Sequence, residues 1–354
     1  MSLDYIRHIE IGERKVGHGH PTYIVAEMSG NHNQNFDNAI RLVEAAKEAG
    51  ADAVKLQTYT PGTMTIECDE PPFVLPMTNT WGGTTLHELY TTAYTPWEWQ
   101  SDLKKKAEQV GIDLFSTPFD PTSVDFLESI SVPVYKIASF ELMDIPLITK
   151  VAKLGKPMIM STGMSTLADI DEAVTAVRRS GNNQLILLQC ASAYPSPPEA
   201  LNIKTIPHLS NAFGVPAGFS DHSLGTGAAI ASVALGACLI EKHFTLSRHD
   251  DGPDSAFSLE PDELKQLVDG VRTVEAALGE IRYGVTDSEA DNVVFQRSLF
   301  FVNDVEKGEL LTEENVRIIR PGHGIAPKYF DLVIGRRAAM GVKRGTPVHW
   351  SLIT

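Results

Sequence analysis

The residues best equipped for chemistry gather at the ends of short apolar runs. His222 and His243 close two successive runs, and Glu241 stands two residues before the second. Neighbouring strands lie about 4.8 Å apart, so two imidazoles at matching strand ends can reach one divalent first-row ion, with carboxylates and water completing its shell. The competing reading is a pair of satisfied core histidines. Lys55 and Lys136 lie inside otherwise apolar runs. An unpaired buried ammonium costs several kcal/mol. Each lysine is therefore expected to meet an anionic substrate, to form a Schiff base, or to pair internally with Glu27, Glu141 or Glu241. Glu27, Gln57, Thr117, Ser139, Ser161, Gln189, Ser192, Tyr194 and Ser220 end or follow the remaining runs. Ser139, Ser161 and Ser220, with helix N-termini beside them, offer donors to a phosphate or carboxylate. Asp250, Asp251 and Asp254 crowd the segment after the last run, and Asp254 is the best placed to touch substrate or metal. Gly225, Thr226 and Gly227 match part of a phosphate loop but read more simply as a tight turn. Arg320 is an isolated basic signal further on.

The elements that must carry these residues alternate. Apolar, β-branched runs at 23–26, 53–57, 113–116, 134–137, 158–161, 185–189, 217–220 and 239–243 read as strands, and amphipathic stretches between them read as helices. Two clear helices run over 36–49 and 167–179, stopping at Gly50 and Gly181. Strand–helix alternation implies a parallel sheet, and about eight such units in about 250 residues is the size of a closed (β/α)8 TIM barrel. A doubly wound open sheet is the alternative. A barrel collects all strand ends on one face, where barrel active sites lie. Side chains at i and i+2 share one side of a strand, so Lys55 with Gln57, Ser220 with His222, and Glu241 with His243 are expected to point inward as pairs. The connection over 58–95 is long, broken by Pro61, Pro71, Pro72, Gly82 and Gly83, and has the length of a lid or binding loop.

The pattern places the barrel over 1–280, a polar linker over 281–294, and a small β-rich domain over 295–354. That domain has nine Lys/Arg against six Asp/Glu, a net of +3 in a chain of 354 residues and formal charge −15. A basic appendage on an acidic body invites docking, within the chain or across a dimer. The acidic balance argues against nucleic acid or an anionic membrane surface as partner. No apolar run reaches the ~18 residues of a membrane span, and the first twenty residues lack the apolar core of a signal peptide. Cys68, Cys190 and Cys238 match neither a zinc cluster nor a disulfide framework, and a reduced cytoplasm suits them.

Eight segments, in order, resemble the sialic acid synthase family. They are IVAE at 24–27, KLQT at 55–58, YKIAS at 135–139, STGM at 161–164, GFSDH at 218–222, EKHF at 241–244, GPD at 252–254 and RPG at 320–322. The resemblance runs over nearly the whole chain. It implies a TIM barrel followed by an antifreeze-like (SAF) domain, in a domain-swapped homodimer. It also implies condensation of phosphoenolpyruvate with an amino sugar. His222 and His243 would hold a divalent metal, Mn2+ first, with Mg2+ or Co2+ as alternatives. Lys55, Thr117 and Lys136 would grip the phosphoenolpyruvate carboxylate, and Ser139, Ser161 and Ser220 would face its phosphate. Glu27, Gln57, Tyr194, Glu241 and Asp254 would line the sugar and metal side, and Arg320 from the other subunit would bind the sugar's N-acyl group. Ser192 stands where the sialic acid branch has Asn, which bears on the local phosphate and sugar contacts.

Three segments look most like the pseudaminic acid synthase branch: QTYTP at 57–61, WGGTTLHELY at 81–90 and TPWEW at 95–99. That branch implies 2,4-diacetamido-2,4,6-trideoxy-L-altrose as acceptor. The alternatives are a manno-configured sugar, giving N-acetylneuraminate or legionaminic acid, a Schiff-base aldolase, and a sugar-acid binding protein that is not an enzyme.

Overall fold

A computed structural model describes residues 6–78 and 80–354. Eight short parallel strands form the centre. They are β3 (Tyr23–Glu27), β4 (Ala53–Thr58), β5 (Asp113–Pro118), β6 (Tyr135–Ile137), β7 (Met158–Ser161), β8 (Leu185–Cys190), β9 (Ala217–Asp221) and β10 (Leu239–His243). β10 pairs with β3, so the sheet closes into a barrel; the open-sheet alternative does not hold. The fold is the expected (β/α)8 arrangement. The strands are buried on both faces, which explains their nearly continuous apolar runs.

The surrounding helices form for local reasons. In Phe36–Glu48, the Asn35 side chain accepts from the Asn38 N–H, and Ala39, Leu42, Val43 and Ala46 make one buried stripe. In Leu167–Arg179, Thr166 and Asp169 form a capping box, and Ile170, Ala173, Val174 and Val177 face the sheet.

A hairpin precedes the barrel, with β1 (His8–Ile11) antiparallel to β2 (Arg14–Gly17). Ile9, Ile11 and Val16 join the core that contains Tyr23, Val25 and Phe115. Arg14 pairs with Asp52 at 3.1 Å and with Asp113 at 3.3 Å, both at the starts of barrel strands. The hairpin therefore seals the end of the barrel opposite the strand ends.

At the other end the loops interlock. A Cβ on Gly30 would lie 2.7 Å from Pro253 Cγ and 2.9 Å from Ala93 Cα; a Cβ on Gly252 would lie 2.9 Å from Asn31 Oδ1. Asn31 Nδ2 donates to the Phe244 carbonyl and to Ser258 Oγ, both at 2.9 Å. Gln34 Nε2 donates to the carbonyls of Thr92 (3.2 Å) and Tyr94 (2.6 Å). Trp81 Nε1 donates to the Pro253 carbonyl at 2.8 Å. The long connection after β4 contains helices Pro61–Met64 and Leu86–Ala93, and these bonds tie it to its neighbours.

The chain divides between Gly279 and Glu280 into two units. In the second, β11 (Ser298–Phe301) pairs antiparallel with β12 (Val316–Ile319). Isolated bridges such as Val305 with Val342 and Ala338 with Ile353 add to them. Its own core is built from Leu299, Phe301, Val305, Leu311, Val316, Val333 and Val348. Among the described residues, no helix is long and apolar enough to cross a membrane.

Candidate active site

Strand register assembles the barrel part of the site. Glu27 lies opposite His243 on one side and Lys55 on the other. Gln57 lies opposite Thr117, and Ser220 opposite Glu241.

The floor is ionic. Lys55 Nζ is 2.7 Å from Glu27 Oε2 and 3.7 Å from Glu241 Oε2, and donates to Thr117 Oγ1 at 3.3 Å. Lys136 Nζ is 3.5 Å from Glu241 Oε1, which also accepts from Ser220 Oγ at 3.0 Å. Both lysines thus make the internal ion pairs that the sequence left as one alternative. Burial pulls the Lys55 pKa down, but Glu241 and Glu27 outweigh it and the net shift is upward. At Lys136 burial wins over Glu241, and the shift is downward. Burial pushes the Glu241 carboxyl up, yet Lys136, Lys55 and its other neighbours hold it well below the usual carboxylate range.

Hydroxyls border this floor. Ser139 Oγ accepts the Gly163 N–H at 3.1 Å. A Cβ on Gly163 would collide with the hydroxyls of Ser192 and Ser139, so any side chain there would have to turn these hydroxyls away. Ser161 Oγ is buried with no hydrogen-bond partner among the described residues. Ser192 Oγ sits 3.8 Å from Cys190 Sγ.

Above the floor, the rings of His222 and His243 have centroids 5.2 Å apart. His222 Nδ1 lies 3.1 Å from the Ala191 carbonyl. That contact fixes Nδ1 as the N–H and leaves Nε2 as the basic nitrogen, an arrangement common in metal-binding histidines. His243 Nδ1 is buried, 3.4 Å from Asp254 Oδ2, and makes no hydrogen bond among the described residues. Among the described residues, no three His, Cys, Asp or Glu side chains form a metal-binding group by themselves. An ion held by these two rings would have to take its remaining ligands from water or substrate. Tyr194 covers the imidazoles, its ring 4.4 Å from His222, with Phe257 5.1 Å from His243.

Asp254 is buried and accepts from Ser29 Oγ at 2.5 Å. Burial raises its pKa, but His243 and Ser29 bring it below the ordinary value. Gln57 Nε2 donates to Glu27 Oε1 at 3.0 Å and to Ser29 Oγ at 3.2 Å. A cavity of about 340 Å³ opens here. Ser29, Gln57, Tyr194, His243 and Asp254 supply polar groups, and Tyr59, Leu75, Leu86, Tyr90 and Phe119 form an apolar wall. Glu141 stands at that wall with Oε2 unpartnered among the described residues, and burial pushes its pKa up to about 7.

Not every polar residue named from the sequence joins this cluster. Gln189 donates to the Leu201 carbonyl at 3.0 Å, a structural contact. Asp250 and Asp251 are exposed, unlike Asp254. Arg320 belongs to the C-terminal unit, where it is exposed, its guanidinium 5.9 Å from the Phe295 ring centroid. Sequence reasoning missed the ion pair behind the histidines, in which Lys242 Nζ lies 3.0 Å from Asp221 Oδ2 and donates to the Ser223 carbonyl at 2.6 Å. Strand alternation carries the signal: each member adjoins an inward histidine and so points the other way. It also missed Ser29 and Phe257, which have no motif of their own, and gave Tyr59, inside QTYTP, no role.

The NeuB family profile matches residues 42–283, and the SAF domain profile matches 296–354. A pseudaminic acid synthase of Helicobacter pylori is 42% identical over 329 residues, 93% of this chain and 96% of that protein. An N,N'-diacetyllegionaminic acid synthase of Legionella pneumophila is 36% identical over 339 residues, 94% of each. The crystal structure of the N-acetylneuraminic acid synthetase of Leptospira borgpetersenii superposes with a TM-score of 0.73 at 30% identity, covering 82% of this chain and 96% of that one. The chain belongs to the NeuB family and ends in a SAF domain.

Proposed function

We propose that this enzyme condenses phosphoenolpyruvate with open-chain 2,4-diacetamido-2,4,6-trideoxy-L-altrose, giving pseudaminic acid and phosphate. The observation that carries the reading is the floor: two buried lysines share Glu241 at the barrel mouth, where the paired imidazoles and a serine hydroxyl unpartnered among the described residues also stand. An incoming carboxylate and phosphate would take over ammonium charge that now rests on Glu27 and Glu241. The 42% identity to a pseudaminic acid synthase supports the branch. So does the apolar wall, which suits a 6-methyl group better than a hydroxymethyl.

In this reading C3 of phosphoenolpyruvate attacks the sugar aldehyde, forming the C–C bond while positive charge develops at C2. Glu27 takes a proton from the water that adds to C2, a proton equivalent to it passes to the aldehyde oxygen, and the C2–O bond to phosphate breaks as the C2 hydroxyl proton leaves with the phosphate, giving the keto acid. Lys55 and Lys136 balance the substrate's anionic groups. Holding both reactants in one cavity supplies much of the rate advantage. His222 and His243 would hold the divalent ion, Mn2+ in our assignment, which supplies Lewis acidity to the aldehyde. We assign the reaction to the cytoplasm, and the N-acyl contact to Arg320 supplied by the other chain of a swapped homodimer.

Phosphate release is measured with the L-altro, the D-manno and the 2,4-diacetamido D-manno sugars, with and without chelator. Turnover with the L-altro sugar alone supports the reading; preference for either manno sugar replaces it with N-acetylneuraminate or legionaminic acid synthesis, for which the Legionella relative speaks. Borohydride trapping of pyruvate on the chain would establish a Schiff-base aldolase instead. Glu27→Gln is expected to abolish turnover while metal binding persists, and retained turnover excludes Glu27 as the base.

A further inference from the structure

Ser29 follows Glu27 by two residues, and its backbone is left-handed, with φ 46°. That conformation is disfavoured for any residue with a Cβ and persists where its surroundings enforce it. Glycine would fit more easily, so the side chain needs a reason. The hydroxyl supplies one. It donates to Asp254 Oδ2 at 2.5 Å and accepts from Gln57 Nε2 at 3.2 Å, and the same Gln57 amide donates to Glu27 Oε1 at 3.0 Å. A continuous relay therefore runs from Glu27 through Gln57 and Ser29 to Asp254. Ser29 is 3% exposed and lines the cavity. Its neighbour Gly30 is wedged against Pro253 and Ala93, so the loop has no room to shift and replace a missing hydroxyl.

We propose that Ser29 is a positioning residue, whose hydroxyl holds the Asp254 carboxylate at a fixed spacing from the Glu27–Gln57 pair while the acceptor sugar binds. This rests on the reading above, in which Asp254 lines the sugar side. Without the hydroxyl, Asp254 Oδ2 keeps, among the described residues, the contact with His243 Nδ1 at 3.4 Å, and Gln57 loses one of its two acceptors.

The test compares the wild-type chain with Ser29→Gly and Ser29→Ala. Ser29→Gly removes the hydroxyl and suits the left-handed backbone, so its thermal midpoint should equal or exceed that of the wild type. Both variants should lose about 10- to 100-fold in kcat/KM for the amino sugar, the scale of a hydrogen bond to a charged group, while KM for phosphoenolpyruvate stays within about twofold. A crystal structure of Ser29→Gly should show the Asp254 carboxylate displaced. A stable Ser29→Gly with wild-type kcat/KM, or with Asp254 unmoved, overturns the proposal. If wild-type protein releases phosphate with none of the sugars, the functional reading fails by itself; the position of Asp254 in Ser29→Gly then decides for or against Ser29.

Discussion

His32 gives a pH dependence that can be worked from contacts. It lies in the loop after β3, completely buried, with its ring 5.6 Å from that of Trp99. Its Nδ1 accepts the Gln34 N–H at 3.1 Å, so the neutral ring carries its proton on Nε2, which lies 3.1 Å from Thr95 Oγ1. A second proton would set an N–H against the Gln34 N–H. Burial lowers the pKa from 6.5 to about 4. Between those values the unfolded chain binds more protons than the folded one, so stability falls as pH drops from 6.5 toward 4 and the loss is complete below 4. At 1.36 kcal/mol per pKa unit this amounts to about 3 kcal/mol. Urea unfolding of wild type and His32→Gln, at steps from pH 7 to pH 4, checks it. Carboxylates titrate in both proteins, so the difference isolates the imidazole. Near pH 7 the variant should be less stable by about 1–2 kcal/mol, from the imperfectly replaced hydrogen bonds. That gap should shift by about 3 kcal/mol in the variant's favour on acidification. A gap that stays constant across this range would refute the argument.

Three other outcomes follow from the same geometry. Lys242→Met strands the buried Asp221 carboxylate and should cost about 3–5 kcal/mol, read as a lower thermal midpoint; adding Asp221→Asn should recover much of it. Gly163→Ala forces its methyl into the hydroxyls of Ser139 and Ser192, and should raise KM for phosphoenolpyruvate at least tenfold in steady-state assays with little change in unfolding temperature. An acceptor whose 6-hydroxyl faces Leu75, Leu86 and Phe119 should lose roughly 10- to 100-fold in kcat/KM, because those side chains offer it no hydrogen bond; equal use of both sugars would remove the assigned role of the wall.

Much of the barrel was readable because parallel strands buried on both faces are written as unbroken β-branched runs. Met158–Ser161, Leu239–His243 and the helix Leu167–Arg179 lie where the pattern put them. Other strands run one or two residues further, ending in Glu27, Thr58, Pro118, Cys190 and Asp221; polarity or a proline at a strand end hides it from a hydrophobicity argument. The hairpin at 8–17 escaped because Ile9, Ile11 and Val16 stand among Glu10, Glu13, Arg14 and Lys15, so the segment averages to polar although those three side chains are buried. Inward pairs such as Lys55 with Gln57 followed from the two-residue strand period. The partner each ammonium takes did not, since Glu27, Glu141 and Glu241 were equivalent on paper and strand register selected among them. Ser29 was invisible for a different reason: its importance lies in a backbone angle and in two neighbours remote along the chain.

The jammed rim of the barrel bears on how this catalyst can be altered. Segments around residues 30, 93 and 253 meet with no space for one extra methyl at Gly30, so none of them is an independent cassette. A chimera that takes the connection after β4 from a relative with a different acceptor should misfold or lose turnover unless the segments around residues 30 and 253 come from the same donor. Retargeting the enzyme is therefore a problem of exchanging three matched pieces together.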